Sequence, residues 1–197
     1  MLTLDHLVIA ARSLDEGLDW CEARLGLRPT AGGQHLFMGT HNRVFDVSSP
    51  TFPRSYAEII AIDPTLPAPT RARWFDLDDA AMQRQLAHGP QLVNWVARVD
   101  DIDIARAALL ATGVDCGDVI QAERGALRWR ITVRADGRRV LAGAAPALIE
   151  WAGAHPTDGL APSGVRLEAM SDAGSPLAAV LATARGRVTL RSPESKA

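Results

Sequence analysis

Hydrophobic and polar positions along the chain fall into two alternating periods. Leu2 to Ala10 form a short apolar run interrupted by His6, which predicts a strand. Ser13-Leu14-Asp15-Glu16 reads as a capping box, with Ser13 at the N-cap and Glu16 reaching back. Leu14, Leu18, Cys21 and Leu25 then recur at helical spacing, and Gly26 sits where a left-handed stop is expected. Residues 13–25 are therefore predicted as a helix packed through one stripe. Strand-like pieces follow around 35–38 and 42–47, then a proline turn at 48–53 and a strong strand at 55–62. The stretch from Asp63 to Pro69 holds three prolines in seven residues and cannot be a helix or a central strand. Trp74-Phe75 precedes a short helix at about 78–88, capped by Asp76 or Asp78 and ended by Gly89-Pro90.

The first pattern then returns. Leu92 to Val99 reads as a strand, and Asp100-Asp101 caps a helix carrying Ile102, Ala105 and Leu109 that stops at Gly113. At a shift of 88 residues, His6 aligns with Asn94, Leu4 with Leu92, Val8 with Val96 and Leu14 with Ile102. Strands are predicted at about 117–122, 127–134 and 147–152, with a turn at Asp136-Gly137. Two copies of strand–helix–strand–strand–strand result, and such a repeat fixes the architecture before any detail. The expected fold class is α+β. Its parts are a first βαβββ module (1–63), a linker with a short helix (64–90), a second module (91–153) and a C-terminal βαβ-like extension (154–197). In the extension a strand at 165–170, a helix from Ser175-Pro176 through Ala184 and a strand at 187–191 are predicted, with a frayed tail from Ser192.

Composition narrows the function classes. The 197 residues carry a formal net charge of −2, so the basic excess of a nucleic-acid binder is missing. No apolar run approaches the roughly 20 residues of a membrane span. The opening Met1–His6 has no basic region and meets an acid at once, which predicts no signal peptide. Cys21 and Cys116 are too few for a disulfide framework or a cysteine-rich zinc site, which suits a reducing cytoplasm.

Residues two apart share a strand face. His6, Glu58 and Glu150 each interrupt an otherwise apolar strand, and a carboxylate there is costly unless paired. One histidine and two glutamates form a ligand set suited to Fe(II), Mn, Ni or Zn; arginine pairing of each glutamate is the alternative. Arg128, Arg130 and Arg134 alternate with Trp129, Ile131 and Val133. One face lines a site and the other is solvated, and arginines on the inner face suit a carboxylate or phosphate. Trp95 and Trp151, on the strand face opposite Asn94 and Glu150, are expected in the core, as is Cys21.

Four segments are similar to the glyoxalase-like domain proteins of the vicinal oxygen chelate superfamily: Asp5-His6-Leu7-Val8, Gly39-Thr40-His41-Asn42-Arg43, Glu58 to Pro64, and Pro146 to Trp151. The resemblance covers about residues 1–156. It implies paired βαβββ modules forming a half-open cup. A divalent metal would be held by His6, Glu58, Asn94 and Glu150, with Glu150 or Glu58 doubling as a catalytic base. Asn94 departs from the pattern, because an amide oxygen is a weak transition-metal ligand; that leaves the site three-ligand and open, weak, or empty. His41, Asn42 and Arg43 are placed at the cup mouth as substrate contacts, with Arg128 and Arg130. The implied activity is a metal-dependent isomerase, lyase or dioxygenase acting on a small oxygenated metabolite. The rival is a metal-free sequestering protein of the bleomycin-resistance type. A small molecule is the expected partner, nucleic acid and membrane are not, and homodimerisation is left open.

Overall fold

The computed structural model describes residues 2–193; Met1 and the last four residues of the tail, 194–197, lie outside the described residues. Strand β1 (Thr3–Ala10) leads into helix α1 (Leu14–Leu25), then β2 (Gly32–His35), β3 (Thr40–Asp46) and β4 (Tyr56–Ile62). The linker carries α2 (Ala80–Leu86). The pattern repeats as β5 (Gln91–Arg98), α3 (Ile102–Ala111), β6 (Asp118–Arg124), β7 (Leu127–Val133) and β8 (Ala147–Trp151). These eight strands form one mixed sheet in the order β2-β3-β4-β1-β5-β8-β7-β6. Within each copy the first and last strands run parallel, and the two copies meet antiparallel at β1 and β5.

The register at that junction establishes the repeat. Thr3 pairs with Arg98 and Ala10 with Gln91; Leu4 pairs with Ala97 and Ile9 with Leu92; His6 pairs with Val96 and Val8 with Asn94. Each pair maps onto its mate by the 88-residue shift, and Leu7–Trp95 maps onto itself. The ladder slips once in β1 at Asp5 and once in β5 at Val93, again 88 residues apart. A pseudo-two-fold axis therefore passes between Leu7 and Trp95, and both bulges obey it.

Both faces of the sheet are covered, which is why its central strands read as nearly continuous apolar runs. On the convex face, Leu7, Ile9, Trp95, Ala97 and Leu148 pack with Leu14, Cys21 and Leu25 of α1 and Ile102 of α3. Ser13 caps α1 by accepting the Glu16 backbone N–H, and Gly26 ends it in the left-handed conformation. Gly17 lets α1 lie close on β4, since a Cβ there would overlap Ile59. On the concave face, Val8, Ala10, Ile60, Val96, Trp129, Ile131 and Ile149 form a second apolar cluster. Each such large side chain contributes about 1.5–3 kcal/mol on burial.

The linker departs from expectation in one consequential way. It inserts Trp74 and Phe75 into the concave cluster, where both are buried. Phe75 and Asp76 adopt left-handed φ values of 60° and 59°, held by two bonds from Arg139 to the Asp76 carboxylate, 2.9 Å from the backbone N–H and 2.6 Å from Nε. Asp76 and Asp78 are thus engaged by Arg139 and Arg73, and the cap of α2 is Asp79 instead.

The extension also differs. Strands β9 (Arg166–Met170), β10 (Ala178–Thr183) and β11 (Gly186–Arg191) form a three-stranded antiparallel sheet, so a strand replaces the helix expected up to Ala184. Ala179 and Leu181 are buried two residues apart and join the convex core with Leu167 and Leu177. Among the described residues no helix is long and apolar enough to cross a membrane.

Candidate functional site

The concave face closes over a small chamber of about 30 Å³. His6 on β1, His35 at the end of β2, Asn42 on β3, and Tyr56 and Glu58 on β4 supply one side. Trp129 and Ile131 on β7, Ile149 and Trp151 on β8, and the inserted Trp74 and Phe75 supply the other. Arg124, the last residue of β6, reaches from the second copy and donates to Asn42 Oδ1 at 3.1 Å. Its side chain lies against Gly33, so it joins the two free edges of the sheet.

His6 stacks on Tyr56 with ring centroids 4.5 Å apart, and its Nε2 lies 3.7 Å from Glu58 Oε2. His35 Nε2 lies 3.9 Å from Glu58 Oε1. Asn42 Nδ2 donates to Glu58 Oε1 at 2.7 Å. Beneath this group sits Asp5, with no exposed surface. Asp5 Oδ1 is 2.7 Å from His6 Nδ1. Oδ2 accepts from Trp151 Nε1 at 3.0 Å, His155 Nε2 at 3.0 Å and Arg98 at 3.3 Å. Burial alone would raise this carboxyl, but the hydrogen bonds from His155 and His6 outweigh it and hold the group well below the ordinary carboxylate range. Burial pulls the His35 imidazole down to about 4, so it is neutral, and pushes the Tyr56 phenol well above its ordinary value.

The structure brings together His6, Glu58 and Asn42 from the residues singled out in the sequence. It does not bring in the others. Glu150 points to the convex side, where its Oε2 accepts the Ile102 backbone N–H at 2.8 Å at the start of α3 and lies 3.5 Å from Arg130. The repeat explains this. Val8 pairs with Glu58, while its counterpart Val96 pairs with Ala147, so the place equivalent to Glu58 belongs to Ala147. Trp151, expected in the core, faces the chamber from β8 beside Ile149. Asn94 lines a separate small cleft with Cys116, Thr132 and Val140, its Nδ2 donating to the Trp95 carbonyl. His41 and Arg43 alternate outward from Asn42 into a surface cleft, where His41 Nδ1 sits 3.4 Å from Asp63. Arg128 is exposed near the start of β7 and paired with Glu123 of β6; Arg130 binds Asp103 on the convex side.

The four residues expected to hold a metal therefore do not assemble. Of His6, Glu58, Asn94 and Glu150 only the first two meet, and among the described residues no group of three or more His, Cys, Asp or Glu side chains is arranged to hold a metal ion. Sequence reasoning missed His35, Arg124, Asp5 and His155. Asp5 carried a readable signal, an acid inside an apolar strand next to His6. Arg124 carried none, because it sits at a strand end whose place opposite Asn42 depends on closure of the cup, and His35 enters through the β2–β3 hairpin, whose register was not read from the sequence.

Paired βαβββ units, fused at their first strands around a small chamber, define a glyoxalase-like fold. The chain belongs to the glyoxalase-like domain family, which it matches over residues 4–185. No curated protein matches the sequence. Among solved structures it is similar to Streptomyces coelicolor methylmalonyl-CoA epimerase in complex with 2-nitronate-propionyl-CoA (21% identity, 78% of this chain and 100% of that one, TM-score 0.47). It is also similar to the Mycobacterium tuberculosis epimerase of the same name (19% identity, 79% and 91%, TM-score 0.44). A hypothetical protein from Staphylococcus aureus aligns over 98% of this chain and 87% of its own, at 13% identity and TM-score 0.59. At these identities the likeness is one of fold.

Proposed function

We propose that this protein is an enzyme of acid–base chemistry on a small carboxylate-bearing metabolite. The observation that carries the reading is the convergence of Glu58 and His6 in an otherwise aromatic and aliphatic chamber, beneath a guanidinium that has no carboxylate partner among the described residues. Arg124 suits a ligand carboxylate, which it can grip in bidentate fashion. Such a grip places the rest of the ligand between the aromatic walls, above Glu58. Glu58 then takes a proton from the ligand atom held there. His6 Nε2, on the far side of the same carboxylate, receives and returns it. The buried negative charge of Asp5 stabilises the imidazolium while the proton resides on His6. Asn42 holds Glu58 in place, and the apolar walls exclude water from the exchange. Because the expected metal set does not assemble, no step is assigned to a metal.

The smallness of the chamber favours a second reading, a binding protein that sequesters such a ligand without turning it over. Proton NMR in D2O separates the two. Acetate, lactate and glycine are incubated with the protein, and binding is followed by saturation transfer while loss of carbon-bound protons reports exchange. Exchange that disappears in Glu58→Gln while acetate and lactate binding survives supports the enzyme. Binding without exchange leaves the sequestering reading, and absence of carboxylate binding removes Arg124 from its role.

A further inference from the structure

The hydrogen-bond network fixes which atoms of the chamber can donate and which can only accept. Asn42 Oδ1 accepts from the Gly33 backbone N–H at 2.9 Å and from Arg124 at 3.1 Å. The amide nitrogen therefore faces inward, toward Glu58 Oε1 at 2.7 Å and His35 Nε2 at 3.4 Å. His35 Nε2 is then an acceptor, and its proton is on Nδ1, 3.1 Å from Thr40 Oγ1. The same logic runs through the hub below. His155 Nδ1 accepts the Thr157 backbone N–H at 3.2 Å, so its Nε2–H donates to Asp5. Asp5 Oδ2 is saturated by His155, Trp151 and Arg98, and Oδ1 takes the Nδ1–H of His6. That leaves His6 Nε2 facing Glu58 Oε2 across 3.7 Å.

The Nε2 atoms of His6 and His35 and the Glu58 carboxylate thus face one small space, with the Asn42 amide donating toward Glu58 and His35. Where such atoms face one another as acceptors, a group with several N–H donors seated between them satisfies them together. Tyr56, Trp74, Phe75, Trp129 and Trp151 line the same space, and aromatic rings attract cations. About 30 Å³ admits a head group and not a whole metabolite. At the rim, Arg124 asks for the opposite charge.

We infer that the chamber is an ammonium site, and that the ligand is a compact zwitterion: a primary amine seated between His6, His35 and Glu58, with its carboxylate on Arg124. This rests on the proton-transfer reading only in giving Arg124 a carboxylate; it adds that the ligand presents an ammonium nitrogen to Glu58 beside the carbon whose proton is exchanged. Asp5 and His155 become positioning residues, since they hold His6 in the tautomer that accepts.

The test uses the whole protein labelled with 15N-histidine, and glycine, methylammonium and acetate as probes. In the free protein the spectra should show His6 and His35 protonated at Nδ1 and bare at Nε2. Glycine should shift both Nε2 resonances and bind at least tenfold more tightly than acetate. Methylammonium should shift the same two resonances at higher concentration. Glu58→Gln should lower glycine affinity at least tenfold, with the backbone amide spectrum confirming the fold. A proton on His6 Nε2 in the free protein, equal affinity for glycine and acetate, or displacement of glycine by stoichiometric Zn2+ or Mn2+ bound at His6 and His35 would each overturn the assignment. Exchange of carbon-bound protons on carboxylates lacking an amine, with no preference for glycine, would sink the ammonium site and leave the proton-transfer reading standing. Tight glycine binding without any exchange would do the reverse.

Discussion

Replacing Asp5 by asparagine keeps the shape of the side chain and removes its charge. Three donors converge on Oδ2, so the amide oxygen takes that side and the new NH2 group faces His6. Each charge-assisted bond weakens to a neutral one, a loss of about 1 kcal/mol apiece. Arg98 is discounted because part of its side chain reaches water. His6 must then carry its proton on Nε2 or leave Nδ1–H unpaired, which adds a further ~1 kcal/mol. The sum is about 3 kcal/mol, seen in urea as a lower midpoint at unchanged slope. In a domain of this size it amounts to a fall in Tm of roughly 6–12 °C. The effect has a pH signature. The Asp5 carboxyl is held below its ordinary value in the folded state, so its contribution is fully present above about pH 4 and is lost as pH falls toward the folded value. The gap between wild type and Asp5→Asn should therefore narrow below about pH 4 by up to ~1.4 kcal/mol per pH unit. A loss under 1 kcal/mol at pH 7, or a gap that is the same at pH 3 as at pH 7, would refute the hub as described.

Other outcomes are equally specific. Glu150→Ala should leave ligand binding unchanged and lower stability by about 1 kcal/mol, because it removes an acceptor from the start of α3; loss of acetate or glycine binding in calorimetry would return Glu150 to the site. Asn42→Ala should cost about 2–3 kcal/mol in denaturant unfolding as well as weakening glycine binding, since the amide is buried and bonded to Gly33, Arg124 and Glu58 at once; an unchanged midpoint would contradict the clasp. Burial pushes the Cys21 thiol up to about 12 and raises Cys116 as well, so Ellman's reagent at pH 8 should find no reactive thiol in the native protein and both in urea. Gly17→Ala should destabilise by about 1–3 kcal/mol through overlap with Ile59, and a Tm equal to wild type would show that α1 can back away from β4.

Local chemistry made most of the first copy readable. Ser13, the Leu14–Leu25 stripe and Gly26 mark α1 by cap, period and stop, and the structure uses each for that purpose. The repeat was legible because the apolar positions of β1 and β5 coincide at one shift. The glutamate in the second copy was not, because Glu150 stands three residues beyond Ala147, the true counterpart of Glu58, and a shift of three in a strand also changes the face. Residues 178–183 misled for another reason. Alanine and leucine favour helix, yet pairing with β9 and β11 overrides propensity there. Arg124 belongs to the site through closure of the cup, a long-range event that leaves no local trace, and His35 through the register of the β2–β3 hairpin.

The position on the pseudo-two-fold axis constrains the molecule differently from every other. Away from the axis, each residue of one copy faces a non-equivalent residue of the other, so the halves can drift apart one substitution at a time. At Leu7 and Trp95 a position meets its own counterpart. Two tryptophans there would overfill the convex core, and two leucines would leave a void beneath the helices. The pair is settled as one large and one small side chain, and the choice of which half carries the tryptophan breaks the symmetry of the core at its centre. A double exchange, Leu7→Trp with Trp95→Leu, conserves the volume that either single change disturbs. The two halves are in this sense a single folding object hinged on one unlike pair, and neither can be redesigned there without rewriting the other.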